Sequence, residues 1–584
     1  MRLLISLRAP LWAVFASCCL QGAEDIVIKA MRDELARSMA KLQLEILEKP
    51  YFIAYRVQER ASARTSASFG SLLSSNESRV RSLGVEVRVG NQALDNTNFL
   101  SGSFGGSGVI RMFGGTLRLP LEDDYKELRR QIWLATDGAY KRALEDLAKK
   151  RAALQNKTRT EEIPDLSREE ITTIADDREP LKADRAALEA TGRELSALFR
   201  EMPAVFHSTV ELTAGSVLTR YVNSEGTSFR RLTQLATFTA VAGTQAANGM
   251  PLEDFVAAYG RTLADLPKKD ELAARIRETV ARLAQLRDAP VVDQYNGPVL
   301  FEGQAAAELV SQALAGRLLA SRRPVSDNPQ FESASSQGEN PFLDKLGARV
   351  LPRFLNLVDD PTIQEHEKTI LVGGYAVDDD GVRAAPAKLV ENGILKTLLS
   401  TRNPARGISR STGHRRGAGP LPSNLFLTAE KGLDAAELKT EFLNLVKERG
   451  KEFGIVVRKL GNPALRAAVG GGGSRLGSAI LAYKVFPDGR EELIRNAELS
   501  GINESAFKDI AAASKASTVY SAPFAARGAS AFSILASPDF GGDPGGSPVV
   551  SLIVPSLLFE DITVKKPSGE IPNLPASKHP FFDR

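Results

Sequence analysis

Cysteine and histidine are scarce in this chain of 584 residues. The two cysteines are adjacent, at positions 18 and 19. The four histidines are His207, His366, His414 and His579, and no two of them lie within ten residues of each other. A helical zinc motif needs two histidines about one turn apart, so no such motif can form here. Beyond residue 23 there is no thiol, which excludes a disulfide, a thiolate metal ligand and a cysteine nucleophile from the folded body.

The first 23 residues predict an export signal. Two arginines provide a positive start, and the apolar run Ala9 to Leu20 is shorter than the roughly 20 residues of a membrane-spanning helix. Small residues before Glu24 offer a cleavage site. One alternative is a lipoprotein signal, because Phe15 to Cys18 is similar to a lipobox; the other is a buried N-terminal helix. We expect an exported protein, periplasmic or secreted, that is lipid-anchored if Cys18 is acylated.

Neither sign of charge dominates the sequence. The formal net charge is +4, and without the predicted leader 73 basic residues stand against 71 acidic ones. This balance argues against nucleic-acid binding by charge. The length suggests two to four domains with ample core.

Helical and strand patterns alternate up to about Pro290, where we place a domain boundary. Apolar residues recur at helical spacing in residues 24–47, 123–154 and 263–286. Strand patterns occupy residues 51–57, 66–73, 85–89 and 206–241, with a turn at 223–227. A charged stretch, 149–185, suggests a helical insertion over about 121–200. We interpret it as a solvated arm, with a partner-docking arm as the alternative.

The most informative stretch runs from Asp378 to Asn424. Asp378 to Gly381 predicts an acidic turn, and apolar pairs on either side of Asn392 and Gly393 predict a hairpin, since glycine takes positive φ at little cost. A glycine- and arginine-rich loop follows at Ser411–Arg416, and Ser423–Leu425 starts a strand. From residue 455 onward the pattern is mostly β, with a hairpin across residues 487–489.

The order of these motifs resembles the TldD/PmbA family of zinc peptidases. The shared motifs are an acidic pair before Gly-Val, the hairpin at 390–395, the STG loop at 411–416 and the strand start at 423–425. The resemblance implies an α+β fold with an N-terminal mixed α/β domain, about 24–290, that carries the helical insertion. It implies a C-terminal domain of mostly antiparallel β structure, about 291–565, followed by a proline-rich tail, 566–584.

The zinc ligands of that family have no counterpart here. In its peptidases a helix carries HExxxH, whose histidines bind zinc and whose glutamate serves as general base. The matching helix is expected at Gln304–Leu319, where Val310, Ser311 and Ala315 fall at the motif positions. The resemblance therefore implies a non-catalytic subunit without cofactor, which pairs with an HExxxH-bearing subunit that supplies the zinc and acts on extended or unfolded peptides. A stand-alone peptidase with an unrecognised site and a peptide-binding scaffold are the alternatives.

Other candidate sites each have a plain structural interpretation. Asp378–Asp380 could hold calcium or form a hydrogen-bonded turn, and His414 could bind an anion or lie in a surface loop. Glu365–Glu367 could be metal ligands or a surface strand end. The runs Gly470–Ser474 and Gly528–Phe532 lack the residues of a phosphate loop and a serine-hydrolase elbow. We assign no catalytic or metal residue. The residues that match family motifs, or that could line a peptide groove, are Asp379, Asp380, Gly381, Glu391, Gly393, Ser411, Thr412, Gly413, His414, Arg416 and Asn424.

Overall fold

The structure is a computed structural model. It describes residues 25–100, 117–155, 162–328, 330, 340–417, 419–462, 476–524, 548–568, 571–577 and 579–582. The predicted leader, 1–23, and the runs 470–474 and 528–532 lie outside these residues. In the part of the chain that is described, no helix is both long and apolar enough to cross a membrane.

Helices pack on two large sheets. The α-helices are α1 (Ile26–Lys41), α2 (Tyr125–Gln155), α3 (Arg185–Ala197), α4 (Lys269–Asp288), α5 (Gln304–Leu309) and α6 (Ala435–Glu448). Helix α5 continues through a π-helical turn, Val310–Leu314, and a 3-10 turn, Ala315–Leu318. The amphipathic patterns predicted α1, α2 and α4, because their apolar faces meet a sheet.

The first sheet is built from long antiparallel hairpins. Its strands are β1 (Pro50–Ser68), β2 (Ser71–Val89), β4 (Leu117–Leu119), β5 (Thr173–Ala175), β6 (His207–Asn223), β7 (Ser228–Gln245) and β8 (Pro251–Gly260), and β3 (Phe99–Leu100) lies apart from it. The order is β4-β2-β1-β6-β7-β5, and β8 also pairs with β7. The strand predicted at 66–73 is wrong in one respect. Phe69 and Gly70 have positive φ and form the two-residue turn between β1 and β2, so the chain reverses there.

Helices cover one face of this sheet and the second domain covers part of the other. Ile53, Tyr55 and Val57 face the core that α1 and α2 complete. The alternate residues Phe52 and Ala54 face the opposite way and pack with Val377 of the second domain. This two-residue alternation is what a sheet buried on both faces requires.

The segment 121–200 is not the solvated arm that its charge suggested. Lys150 is fully buried and binds Asp165 at 2.6 Å, and β5 joins the sheet beside β7. Ser167 N donates to Arg402 O at 2.8 Å, and Ser411 N donates to Glu169 Oε1 at 2.9 Å. The charges in this segment therefore pair within the chain, a distinction that composition cannot make.

The second sheet is larger and mixed, although most pairs are antiparallel. Its strands are β9 (Gln294–Phe301), β11 (Leu355–Asp359), β14 (Ala387–Glu391), β15 (Ile394–Leu395), β18 (Asn424–Ala429), β19 (Gly454–Leu460), β20 (Ala479–Val485), β21 (Glu491–Ile494), β22 (Glu498–Ser500), β23 (Ile510–Pro523) and β24 (Val549–Lys565). Short pairs lie outside it: β10 (Val325–Ser326) with β3, β12 (Glu365–His366) with β13 (Thr369–Ile370), and β16 (Arg415–Arg416) with β17 (Gly419–Pro420). The long strand β24 contacts β9, β18, β22 and β23, which makes it the centre of the sheet.

Helices lie on both faces of the second sheet. The helix that begins with α5 packs in the main core with Leu357, Leu425 and Leu557. Helix α6 packs on the opposite face through Phe442, against Leu558. An α+β fold with mostly antiparallel sheets is thus confirmed.

The tail lies along the first domain. The Phe69 ring contacts His579 and Phe581, with ring centroids 5.2 and 5.5 Å away. Gln245 donates to the carbonyl of Pro572 at 3.4 Å. The described part of the tail therefore links the end of β24 back to the turn between β1 and β2.

Candidate functional site

The acidic turn is buried between the two domains. Asp378 Oδ1 accepts from the amides of Asp380 and Val382 at 2.9 and 2.8 Å, and Oδ2 accepts from Arg415 N at 3.0 Å. Gly381 has φ +81°, and a Cβ there would stand 2.6 Å from Thr227 of the first domain. The turn therefore requires glycine both for its conformation and for the close approach of the domains.

Asp379 is held by arginines of the first domain. Arg231 donates to its carboxylate at 2.5 Å, and Arg56 donates to its backbone carbonyl at 2.7 Å. Burial alone would raise the pKa of Asp379, but Arg231 and then Arg56 outweigh it and hold the pKa below its ordinary value. The buried carboxylate stays ionised and ties the second domain to strands β1 and β7.

The pKa values of the two remaining carboxyl groups, Asp378 and Asp380, are shifted in opposite directions. Burial and the neighbouring Asp380 raise the pKa of Asp378 to about 7. Burial also opposes ionisation of Asp380, yet Arg415, which donates to it at 2.6 Å, lowers its pKa below the ordinary value. The carboxylates of the turn thus accept hydrogen bonds from arginines and backbone amides, as the interpretation as a hydrogen-bonded turn predicted. Across the described ranges no group of three His, Cys, Asp or Glu side chains is arranged to hold a metal ion.

Both interpretations of His414 are wrong. Its side chain is fully buried, with Nε2 3.0 Å from Asp359 Oδ1 and Nδ1 2.7 Å from the carbonyl of Thr412. Asp359 also accepts from Ser423 N at 2.9 Å. Each ring nitrogen already faces an oxygen, so His414 is neither a surface residue nor free to bind an anion. Asp359 lies 55 positions upstream, beyond the reach of any local pattern.

An arginine that sequence reasoning passed over crosses the same interface. Arg402 donates to Glu225 of the first domain at 2.6 Å and to the carbonyl of Ser167 at 2.7 Å. Its guanidinium lies 5.4 Å from the centre of the Phe52 ring, and Arg88 lies 5.9 Å from that ring. The predicted turn at Asn223–Thr227 was the one sequence feature that pointed to this contact, because it contains Glu225, the partner of Arg402.

The predicted motif residues fall into three places. Asp379, Asp380, Gly381 and the loop from Ser411 to Arg416 meet at the domain interface. Glu391 and Gly393 lie in the hairpin β14–β15, where Gly393 N donates to Leu355 O at 3.0 Å. The remaining residue, Asn424, is buried and donates from Nδ2 to the carbonyls of Asp360 and Ile363 at 3.1 and 2.8 Å.

Several of these residues are buried. Asp379, Asp380, His414 and Asn424 are each at most 5% exposed. Asp379 pairs with Arg231 of the first domain, whereas the other three hydrogen-bond to groups of the second domain. Ser411, Thr412, Arg416 and Glu391 remain partly exposed.

The helix at 304–318 offers no zinc ligand at the expected motif positions. Val310 and Ala315 are buried in the apolar core, and Ser311 is half-buried. Zinc in proteins is bound by imidazole, thiolate or carboxylate, so these side chains do not fit it. The helix follows β9 as predicted, but it changes from α to π geometry at Val310.

A buried carboxyl group that the sequence did not reveal lies on the same helix, two residues before Val310. Glu308 is fully buried, and its carboxyl oxygens accept from Gln304 Nε2 at 2.8 Å and from Leu460 N at 2.6 Å. Burial raises the pKa of Glu308 to about 7, against the pull of these two donors. Glu302, six positions earlier, instead pairs with Arg458 at 2.8 Å.

Comparison with known proteins relates the second domain to a known family. Residues 294–566 match the PmbA/TldA metallopeptidase C-terminal domain. The match covers the second domain and a little under half of the chain. A metalloprotease of Methanothermobacter thermautotrophicus is 36% identical over 126 residues, which cover 20% of this chain and 26% of the relative. A metalloprotease of Methanocaldococcus jannaschii is 39% identical over 84 residues, 14% and 18% of the two chains. The matches thus span about a quarter of those relatives or less.

Solved structures share the fold over nearly the whole chain. TldE from Thermococcus kodakarensis matches with a TM-score of 0.55 and 14% identity, over 92% of this chain and 99% of the other. A candidate modulator of a DNA gyrase from Thermotoga maritima matches with a TM-score of 0.55 and 16% identity, over 88% and 96%. At such identities the likeness concerns the fold alone.

Proposed function

We propose that this chain is a non-catalytic, exported subunit of a TldD/PmbA-type peptidase. It pairs with a related chain that carries HExxxH, and together they hold and cleave extended peptides. The observation that carries the proposal is the helix at 304–318, where Val310 and Ala315 pack in the apolar core at the motif positions. The family frame is retained around a helix without zinc ligands, which is what a partner subunit requires.

The chain's own contribution is to position the substrate. An extended peptide can add as a strand to a sheet edge, where backbone amides and carbonyls bind it without regard to sequence. The charged interface around Asp379 and Arg402 fixes the two sheets relative to each other, so such an edge would be presented in one geometry. The proton transfer and the metal chemistry belong to the partner.

Metal analysis and an assay of the pair test the proposal. The lone chain should contain no stoichiometric zinc and should not cleave peptides, whereas its mixture with an HExxxH-bearing homologue should cleave faster than the homologue alone. As a control, glutamine in place of the motif glutamate of the homologue should abolish hydrolysis by the mixture. One zinc per lone chain, with hydrolysis lost on chelation, contradicts the proposal.

Export has its own test. N-terminal sequencing and intact mass of the protein made in a Gram-negative host should show a start near Glu24, or an acylated Cys18. A cytoplasmic product that retains Met1 and Arg2 contradicts export and leaves the subunit proposal standing.

A further inference from the structure

Four large apolar side chains are exposed where the loop after α1 meets α2. Leu44, Ile46 and Leu47 of this loop are 38%, 95% and 47% exposed, and Trp133 of α2 is 48% exposed. The two helices cover the face of the first sheet that lies away from the second domain. We call these four side chains the apolar patch. Neighbouring large apolar side chains left in water on one surface mark a place where another apolar phase binds.

The loop and Trp133 lie side by side along α2. Trp133 and Tyr140 are seven positions apart, which places them on the same face of the helix and about 10 Å apart along its axis. The Tyr140 hydroxyl accepts from Leu44 N at 3.3 Å and donates to Glu48 O at 2.7 Å. The loop therefore covers Tyr140 and leaves Trp133, two turns earlier on that face, in contact with solvent.

The loop holds its aliphatic side chains in a defined conformation. Leu47 N donates to Leu44 O at 2.8 Å, and Gln43 Nε2 donates to Leu47 O at 3.0 Å. Glu45 has φ +45°, so the chain turns sharply between these residues. Because Tyr140 also fastens both ends of the loop to α2, the aliphatic side chains stay directed away from the domain. Their exposure is unfavourable unless an apolar phase covers them.

Positive charge is concentrated around the apolar patch. Without the buried Lys150, residues 26–49 and 125–155 carry twelve basic residues against eight acidic ones. The whole chain from residue 24 onward is almost balanced, with 73 against 71. Lys41 and Lys49 flank the loop directly. A lysine can lay its aliphatic stem along an apolar region while its ammonium group reaches a lipid phosphate.

From these observations we infer that the apolar patch binds the surface of an anionic lipid bilayer. The loop would insert its aliphatic side chains at the level of the headgroups. Trp133 would lie at the boundary between headgroups and acyl chains, where tryptophan is favoured. A second copy bound through the same patch would bring two positively charged surfaces together, which is unfavourable. The site is separate from the peptidase-subunit function proposed above.

The test uses vesicles and the fluorescence of Trp133. The chain that starts at Glu24 keeps every residue that the structure describes, and Trp133 is its only tryptophan. The probes are vesicles of phosphatidylcholine, alone or with an equal amount of phosphatidylglycerol. The protein should sediment with the mixed vesicles, and its emission should shift to shorter wavelength. Affinity should fall at least about tenfold without the anionic lipid, and it should fall as salt is raised.

Matched variants assign the binding to the apolar patch. Ile46→Asn should weaken binding to the mixed vesicles about tenfold or more, because it removes one inserted aliphatic side chain. Ile171→Asn is the control: Ile171 is 65% exposed but lies outside the patch, so binding should not change. Replacing Lys41 and Lys49 together by glutamine should weaken binding to the mixed vesicles and reduce its dependence on salt. Denaturation midpoints establish that the variants fold.

Several outcomes would overturn the inference. No binding to the mixed vesicles contradicts it, as does equal binding to both kinds of vesicle or an equal loss in Ile46→Asn and Ile171→Asn. Light scattering may instead show a complex that Ile46→Asn disrupts and Ile171→Asn does not, formed by two copies or with the HExxxH-bearing homologue. The patch is then a protein interface and the membrane inference fails. The zinc and hydrolysis measurements that test the proposed function do not depend on any of these results.

Discussion

Glu308 makes the stability of the protein depend on pH. The folded pKa of about 7 lies above the ordinary glutamate value of 4.5, so the folded state binds more protons between these two values. The contribution of Glu308 to stability is full below about pH 4.5 and is lost progressively as the pH rises to about 7. A shift of about 2.5 units corresponds to about 3 kcal/mol.

Glu308→Gln should remove this dependence. We expect the variant to exceed the natural chain in free energy of unfolding by up to about 3 kcal/mol at pH 8, and by much less at pH 5. Urea denaturation at the two pH values measures the difference. Glu441→Gln, at an exposed position on α6, is the control and should match the natural chain at both. An equal effect of Glu308→Gln at pH 5 and pH 8 would contradict the assignment.

His414 should matter for stability more than any exposed histidine. Removing it leaves the Asp359 carboxylate buried with only Ser423 as partner, and breaking a buried pair in this way costs about 3 kcal/mol. We expect His414→Ala to lose about that much free energy of unfolding. His207→Ala, whose side chain is 61% exposed, should lose less than about 0.5 kcal/mol. Similar losses for the two variants would place His414 outside the buried network.

At the scale of an element, the segment between α2 and α3 belongs to the core and is not an appendage. Two adjacent lysines near the end of α2 make the point testable, because Lys150 is fully buried against Asp165 and Lys149 forms a surface pair with Glu145. Lys150→Met should cost about 3 kcal/mol, since it removes the buried ammonium group that donates to Asp165 and to the carbonyls of Asp95 and Thr97. Lys149→Met should change stability by less than about 0.5 kcal/mol. Thermal denaturation of the two variants side by side measures this, and indistinguishable melting would restore the solvated-arm interpretation.

At the scale of the whole molecule, buried charges connect the domains. Asp379 with Arg231, Arg402 with Glu225, and Lys459 with Asp254 each cross the interface. Such pairs contribute little net stability but are costly to break, so they favour one arrangement of the domains over others.

Asp379→Ala should therefore loosen the interface. We expect it to lower the free energy of unfolding by about 3 kcal/mol and to split the calorimetric transition, because the two sheets then unfold less cooperatively. Glu391→Gln, in the exposed hairpin of the same domain, should keep a single transition. If Asp379→Ala also shows one transition at an unchanged temperature, the interface does not depend on this pair.

Short-range patterns predicted much of the fold. The hairpin at Asn392 and Gly393 formed where expected, because both residues have the positive φ that a two-residue turn needs. The helix over Tyr125–Gln155 buries Leu128, Ile132 and Leu147, as its helical spacing indicated. These features depend on residues a few positions apart, and the sequence displays such neighbours directly.

The candidate site could be predicted only in part. The motifs located the acidic turn and the STG loop, but they suggested an exposed His414 and a solvated insertion. Their true partners are distant in the chain: Asp359 lies 55 positions from His414, and Arg56 lies 323 positions from Asp379. Hydrophobic periodicity, which relates residues a few positions apart, cannot predict contacts over such separations.

By itself, the sequence determined the absence of a two-histidine zinc motif and the local turns, because these follow from residue identity and spacing. Only the tertiary structure decided which charges are buried together, and therefore which of them are paired. Burial is a property of the assembled sheets: it raises the pKa of Glu308 and encloses Lys150, although their near neighbours Glu302 and Lys149 remain in contact with water. Glutamates six positions apart and adjacent lysines look alike in the sequence, and the packing of distant strands makes them chemically different.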